Sequence, residues 1–428
     1  MRKLLSIALF ILIFYIAKAQ NTTLIDGLIT KINQNTKQDT STVNILLQLA
    51  QAYYGKDSPK MLAYTLQAQE LSQKLNYKKG LAGCYRFQAI SEYLLGNFSN
   101  AENYSFKALT LNQEVKNDLG IVASLSFLGN INTVRNNYPK ALDYFQKAVR
   151  INEKLKNDFV TASIYVNIGV IYSELKNYDM ALKYFQSGLE IHIKINNGLG
   201  IAGSLGNIGN VYFNSKDYEK ALNFYKKSLE KYMVVHNKAG IAMEYGNMAS
   251  VYSELKNYSE SFENHTKSLA INEEIKNKKG IAVNLGGIGK YYLQQRNYKE
   301  AMVFAKKANA LAASINIQDV QKETFEDMSI IYEKLGKIDS ALISYKKFIA
   351  IRDNIDNENN RKQVARLEVQ YEFDNKEREY KNNQILSNEK LNQQQLILAL
   401  NKSKLNESNK ERDLVRLNFL KTQAELKS

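Results

Sequence analysis

From residue 38 to residue 357 the chain repeats one pattern of small, apolar, aromatic and polar positions with a period of 40 residues. Cut before Lys78, it stacks without a gap into segments starting at 78, 118, 158, 198, 238, 278 and 318, and one period back gives 38–77. In that register a small residue recurs as Ala89, Gly129, Gly169, Gly209, Ala249, Gly289 and Ser329. Three positions on stands a tyrosine in most copies: Tyr172, Tyr212, Tyr252, Tyr292 and Tyr332. A second small column follows (Ala101, Ala141, Ala181, Ala221, Ser261, Ala301, Ala341), then a third (Ala68, Ala108, Ala148, Gly188, Ser228, Ser268, Ala308). Large residues such as Leu142, Leu182, Leu222 and Phe262 flank them. Small residues at fixed points let two helix backbones approach, and large ones at i, i+3, i+4 spacing fill the room beside them.

Between the tyrosines and the second small column lies a polar pair: Asn97-Phe98, Asn137-Tyr138, Asn177-Tyr178, Asp217-Tyr218, Asn257-Tyr258 and Asn297-Tyr298. It predicts a turn, so each segment reads as helix, turn, helix. A second break is predicted at Gly80, Gly120, Gly200, Gly240 and Gly280, each taken as a helix C-terminal region before the next apolar run. One hairpin cannot bury its apolar face alone, whereas eight stacked hairpins form a continuous core. Residues 20–37 are expected to form a lead-in helix.

These columns resemble the tetratricopeptide repeat. Its signature sets a Gly three residues before a Tyr, then Ala, an aromatic and Ala in the second helix. Asn207-Ile208-Gly209-Asn210-Val211-Tyr212 with Ala221, Tyr225 and Ser228 matches closely, as does Gly169 with Tyr172, Ala181, Phe185 and Gly188. The 40-residue length and the Gly-Ile-Ala at 200–202, 240–242 and 280–282 look like the longer subclass of that family. The resemblance covers about three quarters of the chain. It is weakest in 38–77, which suits a capping repeat, and 318–357 drifts, with Phe348 where a small residue is expected. It implies an all-α, right-handed superhelical solenoid of about eight hairpins over 38–357. It also implies a concave groove lined by the first helices, where asparagines bond the backbone of an extended peptide. The matching residues are Asn167, Asn207 and Asn247 at one position, and Asn130 and Asn210 at another.

Composition changes this picture little. Two prolines, Pro59 and Pro139, suit a helical chain. The formal charge of +15 is spread among interleaved acids, with no basic run interleaved with aromatics, so no nucleic-acid partner is expected. Cys84 is the single cysteine, in an apolar stretch that predicts a buried thiol. His192, His236 and His265 lie far apart, so no metal or other cofactor is expected. Gly286-Gly287-Ile288-Gly289-Lys290 resembles the end of a phosphate loop, but Asn284 and Tyr291 occupy its other required positions. No catalytic arrangement stands out, and the chain is expected not to be an enzyme.

Arg2 and Lys3, an apolar run from Leu4 to Ile16, and Ala17-Lys18-Ala19 predict a signal peptide at 1–19. They predict export to the periplasmic or extracellular side of the cytoplasmic membrane. Residues 358–428 lack Pro and Gly, and Leu391, Leu398 and Leu405 keep a seven-residue step. That predicts a long helix or coiled coil, with a homodimer through it. The order of signal, repeats and charged helix resembles the sensor half of bacterial membrane signalling proteins. Two readings follow. One is an exported interaction scaffold for a peptide or protein. The other is the input portion of a histidine kinase, nucleotide cyclase or DNA-binding regulator whose transmembrane and output parts lie outside this chain. Membrane attachment is expected only with such a longer parent or an uncleaved signal anchor.

Overall fold

A computed structural model describes residues 24–34 and 37–425 of the chain, so the expected signal peptide lies outside the described residues. A first helix, α1 (24–34), precedes α2 (Thr40–Tyr53) and α3 (Ser58–Lys74). Then come α4 (Lys78–Leu94), α5 (Phe98–Glu114), α6 (Asp118–Val134), α7 (Tyr138–Leu155), α8 (Asp158–Glu174) and α9 (Tyr178–Lys194). They continue as α10 (Gly198–Asn214), α11 (Tyr218–Val234), α12 (Lys238–Glu254), α13 (Tyr258–Glu274), α14 (Lys278–Gln294), α15 (Tyr298–Ser314) and α16 (Gln318–Lys334). α17 starts at Ile338 and runs unbroken to Glu425. The chain divides into two compact units at Ala365 and Arg366, with the stack of hairpins in the first. Among the described residues no helix is long and apolar enough to cross a membrane.

From α4 onward a helix starts every 20 residues, so the 40-residue repeat is built of two equal steps. A common stop sets the step. A left-handed residue stands at every twentieth position from Asn76 to Gly336. Gly96 and Gly336 are the glycines among them; the rest, such as Lys116, Lys176, His236 and Lys256, hold φ between 50° and 64°. The next amide then bonds the carbonyl five residues back, as from Asn117 to Asn112 (2.8 Å) and from Asn277 to Asn272 (2.8 Å). This Schellman closure satisfies carbonyls the helix end would leave bare. The following Asn or Asp caps the next helix in several copies, Asn197 Oδ1 accepting from Gly200 N–H at 3.1 Å.

The glycines at 80, 120, 200, 240 and 280 are therefore not breaks. Each is the third residue of an inner helix, two or more residues past the turn. Their missing side chain makes room for a residue of the preceding helix. A Cβ on Gly240 would lie 2.4 Å from the Tyr232 ring, one on Gly200 2.4 Å from His192, and one on Gly280 2.3 Å from Asn272. Where the column holds Val320, the opposing residue is Ala312, and both are buried in one cluster. Where it holds Val160, the joint is rebuilt. α7 runs one residue further, and Asn152 turns aside to donate to the Asn157 carbonyl and to Thr161 Oγ1, both at 2.8 Å.

Inside three hairpins a glycine of the small column takes an aromatic of the second helix. A Cβ on Gly129, Gly169 or Gly209 would come within 2.7 Å of Phe145, Phe185 or Tyr225, respectively. The tyrosine column stacks on a ring of the same second helix: Tyr172 on Tyr184 (5.5 Å), Tyr212 on Phe224 (5.4 Å) and Tyr292 on Phe304 (5.5 Å). These contacts recur because stacking puts each column in one layer. Among the described residues, the backbones of successive first helices approach within 8 Å between Cα atoms (α8 with α10, α10 with α12, α12 with α14, α14 with α16), whereas those of successive second helices stay further apart. The stack thus bends with its first helices inside, and they line the concave face.

Candidate functional site

Five positions per inner helix face the concavity. In α12 these are Ala239, Met243, Gly246, Asn247 and Ser250, which line a cavity of about 680 Å³ shared with α14. A second cavity of about 350 Å³ lies between α8 and α10, lined by Phe159, Ser163, Val166, Asn167, Leu199, Gly203, Ser204 and Asn207. Phe159, Leu199 and Met243 are about half exposed there, at 56%, 52% and 49%. Carried by the 40-residue register, the same five positions in α16 hold Asp319, Glu323, Glu326, Asp327 and Ile330. Desolvation pushes the Asp327 carboxyl up to about 7; Glu323 and Glu326 push it the same way, and Lys290 pulls it down. Glu323 is raised too, first by desolvation.

The five asparagines singled out from the sequence all sit, partly exposed, on the inner helices. Asn167 and Asn130 come together across neighbouring hairpins, Nδ2 donating to Oδ1 at 3.0 Å. Asn210 Oδ1 accepts from the Tyr225 hydroxyl at 2.8 Å, inside its own hairpin. Asn247 Nδ2 donates to Glu244 Oε2 at 3.1 Å while the residue lines the larger cavity. Asn207 lines the smaller cavity and makes no side-chain hydrogen bond within the described protein. Asn167, Asn207 and Asn247 thus line both a cavity and the common strip, whereas Asn210 is tied down by its own repeat.

Models of the tetratricopeptide repeat match residues 121–155, 160–233 and 241–314. The stack is a tetratricopeptide-repeat solenoid. The same fold occurs in a STAND signal-transduction ATPase with a tetratricopeptide repeat sensor from Pyrococcus horikoshii, 18% identical, with a TM-score of 0.55 over 78% of this chain and 55% of that one. It occurs in the apo form of RapI, 17% identical, TM-score 0.52, covering 74% of this chain and 98% of that one. It occurs also in the Rap conjugation gene regulator of the plasmid pLS20, in complex with a Phr peptide, 13% identical, TM-score 0.52, covering 79% and 96%. At these identities the likeness is one of fold. Among curated protein sequences none matches the chain.

Below the tetratricopeptide groove lies a polar floor that sequence reasoning missed. Glu244 is fully buried, and burial pushes its carboxyl up to about 7. It lies 2.8 Å from Ser228 Oγ, and that hydroxyl in turn donates to the Ala202 carbonyl at 2.8 Å. One repeat on, Asn284 Nδ2 donates to Ser268 Oγ (2.9 Å), which donates to the Ala242 carbonyl (2.7 Å). The two arrangements coincide if Glu244 is protonated and donates as Asn284 does, since one hydroxyl proton serves one acceptor best. Gly206 leaves room for the carboxyl, with a Cβ there only 2.6 Å from Oε1. His265 Nδ1 meets Asn284 Oδ1 at 3.0 Å, and burial holds its pKa low. Cys84 is buried, its thiol pushed up to about 12, so it is protonated and unreactive. The register itself was the available signal: Glu244, Asn284 and Thr324 share one column, as do Asn247, Gly287 and Asp327.

Proposed function

We propose that the concave face from α8 to α14 binds an extended segment of a peptide or protein partner, and that this binding, not catalysis, is the work of the chain. The observation that carries the reading is a continuous inner strip in which asparagines, exposed apolar residues and two cavities fall in register. A partner lying along it meets one subsite per repeat. The peptide complex of the Rap regulator, which shares the fold, supports an occupied groove here.

The experiment is a random dodecapeptide display panned on the full chain and on an Asn207→Ala, Asn210→Ala, Asn247→Ala variant whose helicity is unchanged. Enrichment on the parent and its loss on the variant is expected. Equal enrichment of the same peptides on both moves the site elsewhere.

We place the chain outside the cytoplasm on the strength of Arg2, Lys3, the apolar run to Ile16 and Ala17-Lys18-Ala19. A mature N-terminus near Gln20 in the exported fraction checks this. The second reading, input portion of a longer signalling protein, draws support from the tetratricopeptide sensor of the STAND ATPase. On α17, Leu391, Leu398 and Leu405 are more than half exposed (52%, 73% and 58%), which favours a seam for a second copy.

A further inference from the structure

The groove reading can be taken one step further, to the chemistry of what lies in it. We propose that the occupant is an extended segment with an apolar body and a cationic end, its backbone running close over α10, α12 and α14 and its cationic end meeting α16. The inference rests on the groove being the binding site.

Three independent observations converge. The first is charge. The five inward positions of α6, α8, α10 and α12 hold no charged residue, although 24% of the chain is Asp, Glu, Lys or Arg. The same positions of α14 then hold Lys279 and Lys290, and those of α16 hold Asp319, Glu323, Glu326 and Asp327. Lys290 pulls the carboxyls of Glu323 and Asp327 down, against the upward push of desolvation. With four acids facing two lysines, this end of the strip stays net negative in a chain of net charge +15, which suits a cation on the partner.

The second is empty space. A Cβ on Gly203 would meet nothing closer than 3.6 Å, one on Gly246 nothing closer than 3.7 Å, and one on Gly286 nothing closer than 4.0 Å. Internal packing does not require glycine at these places, unlike at Gly240 or Gly209. Glycine inside a helix is worse than alanine for the fold. A glycine that no internal neighbour demands, facing a groove, fits close approach of another backbone.

The third is an unmatched donor. Ser204 is 1% exposed, its hydroxyl has no partner, and it forms part of the cavity wall between α8 and α10. A buried hydroxyl left unmet is costly, and a carbonyl of a bound backbone satisfies it.

The test uses the full chain and the same random dodecapeptide display. Enriched peptides should carry Lys or Arg at one end beside Leu, Ile, Val, Phe or Met. A Glu323→Gln, Asp327→Asn variant should keep the apolar preference and lose the basic one, with the best parent peptide binding on the order of tenfold more weakly. Peptides that bind with no basic bias, or a basic bias that survives in the variant, overturn the inference and leave the groove reading standing. If no peptide is enriched at all, the groove reading itself fails. A second variant, Gly203→Ala, Gly246→Ala, Gly286→Ala, should unfold at a higher urea midpoint and bind the selected peptide at least tenfold more weakly. A merely structural role for these glycines gives the opposite sign in the urea midpoint, and unchanged affinity overturns the close approach.

Discussion

Gly240→Val tests the main claim about how the repeats join. A Cβ at 240 would sit 2.4 to 2.5 Å from three atoms of the Tyr232 ring. Ordinary contact needs about 1 Å more, so the ring or α12 must move. If α12 shifts, the cost is that of overpacking, roughly 1–3 kcal/mol. If the ring is expelled, Tyr232, now 8% exposed, gives up most of its buried area. At about 25 cal/mol per Å² and an area on the order of 150–200 Å², that is at most about 4–5 kcal/mol. Valine's better helix propensity returns less than about 1 kcal/mol. A net loss near 2–3 kcal/mol is expected.

The array supplies its own control. At the equivalent joint Val320 faces Ala312, and both are buried. Tyr232→Ala alone should cost roughly 3–5 kcal/mol. Added to Gly240→Val, it should cost clearly less than the sum of the two, with a coupling of about 1–3 kcal/mol, because the pair recreates the Ala–Val joint. Urea unfolding followed by circular dichroism gives the totals. Hydrogen exchange of α11 and α12 localises the effect, since repeat arrays need not unfold in one step. A Gly240→Val loss under about 0.5 kcal/mol, or an additive double variant, would refute the account of the glycine column.

Three further outcomes follow. Glu244 has a folded-state pKa of about 7, above its unfolded value, so its contribution is full below about pH 4.5 and is lost as pH rises through 7. Urea titrations from pH 4.5 to 8 should lose roughly 2–3 kcal/mol on this account, and Glu244→Gln, a neutral match for the protonated acid, should flatten that part of the profile. Lys256→Gly relieves a left-handed residue at φ 60°. It should stabilise the chain by about 0.5–1 kcal/mol once glycine's extra unfolded-state freedom is counted, and destabilisation in a urea titration would contradict the Schellman assignment. A Leu391→Lys, Leu398→Lys variant should be monomeric by light scattering at concentrations where the parent is a dimer; a monomeric parent sinks the seam on α17.

What the sequence disclosed, and what it hid, divides along physical lines. The solenoid was legible because tight helix packing demands small residues at fixed points, and Gly129, Gly169 and Gly209 announce their aromatic partners every 40 residues. The helix ends were not. Glycine is the usual left-handed residue, so Gly120 and Gly240 look like stops. The true stop lies four residues earlier, at Lys116 and His236. It is closed by a backbone bond that asks for no particular side chain, and so leaves no mark in composition. The groove was legible as far as residue type was followed. Residue type points to Asn207 and Asn247 but not to Asp327, which stands in the same column. Glycine shows why structure had to decide. At 240 a Cβ would strike a ring at 2.4 Å, at 209 an aromatic at 2.7 Å, and at 203, 246 and 286 it would meet nothing closer than 3.6 Å. The first joins repeats and the second closes a hairpin. The last three weaken their helices for no internal gain, and that is the expected mark of a surface shaped by something that binds to it.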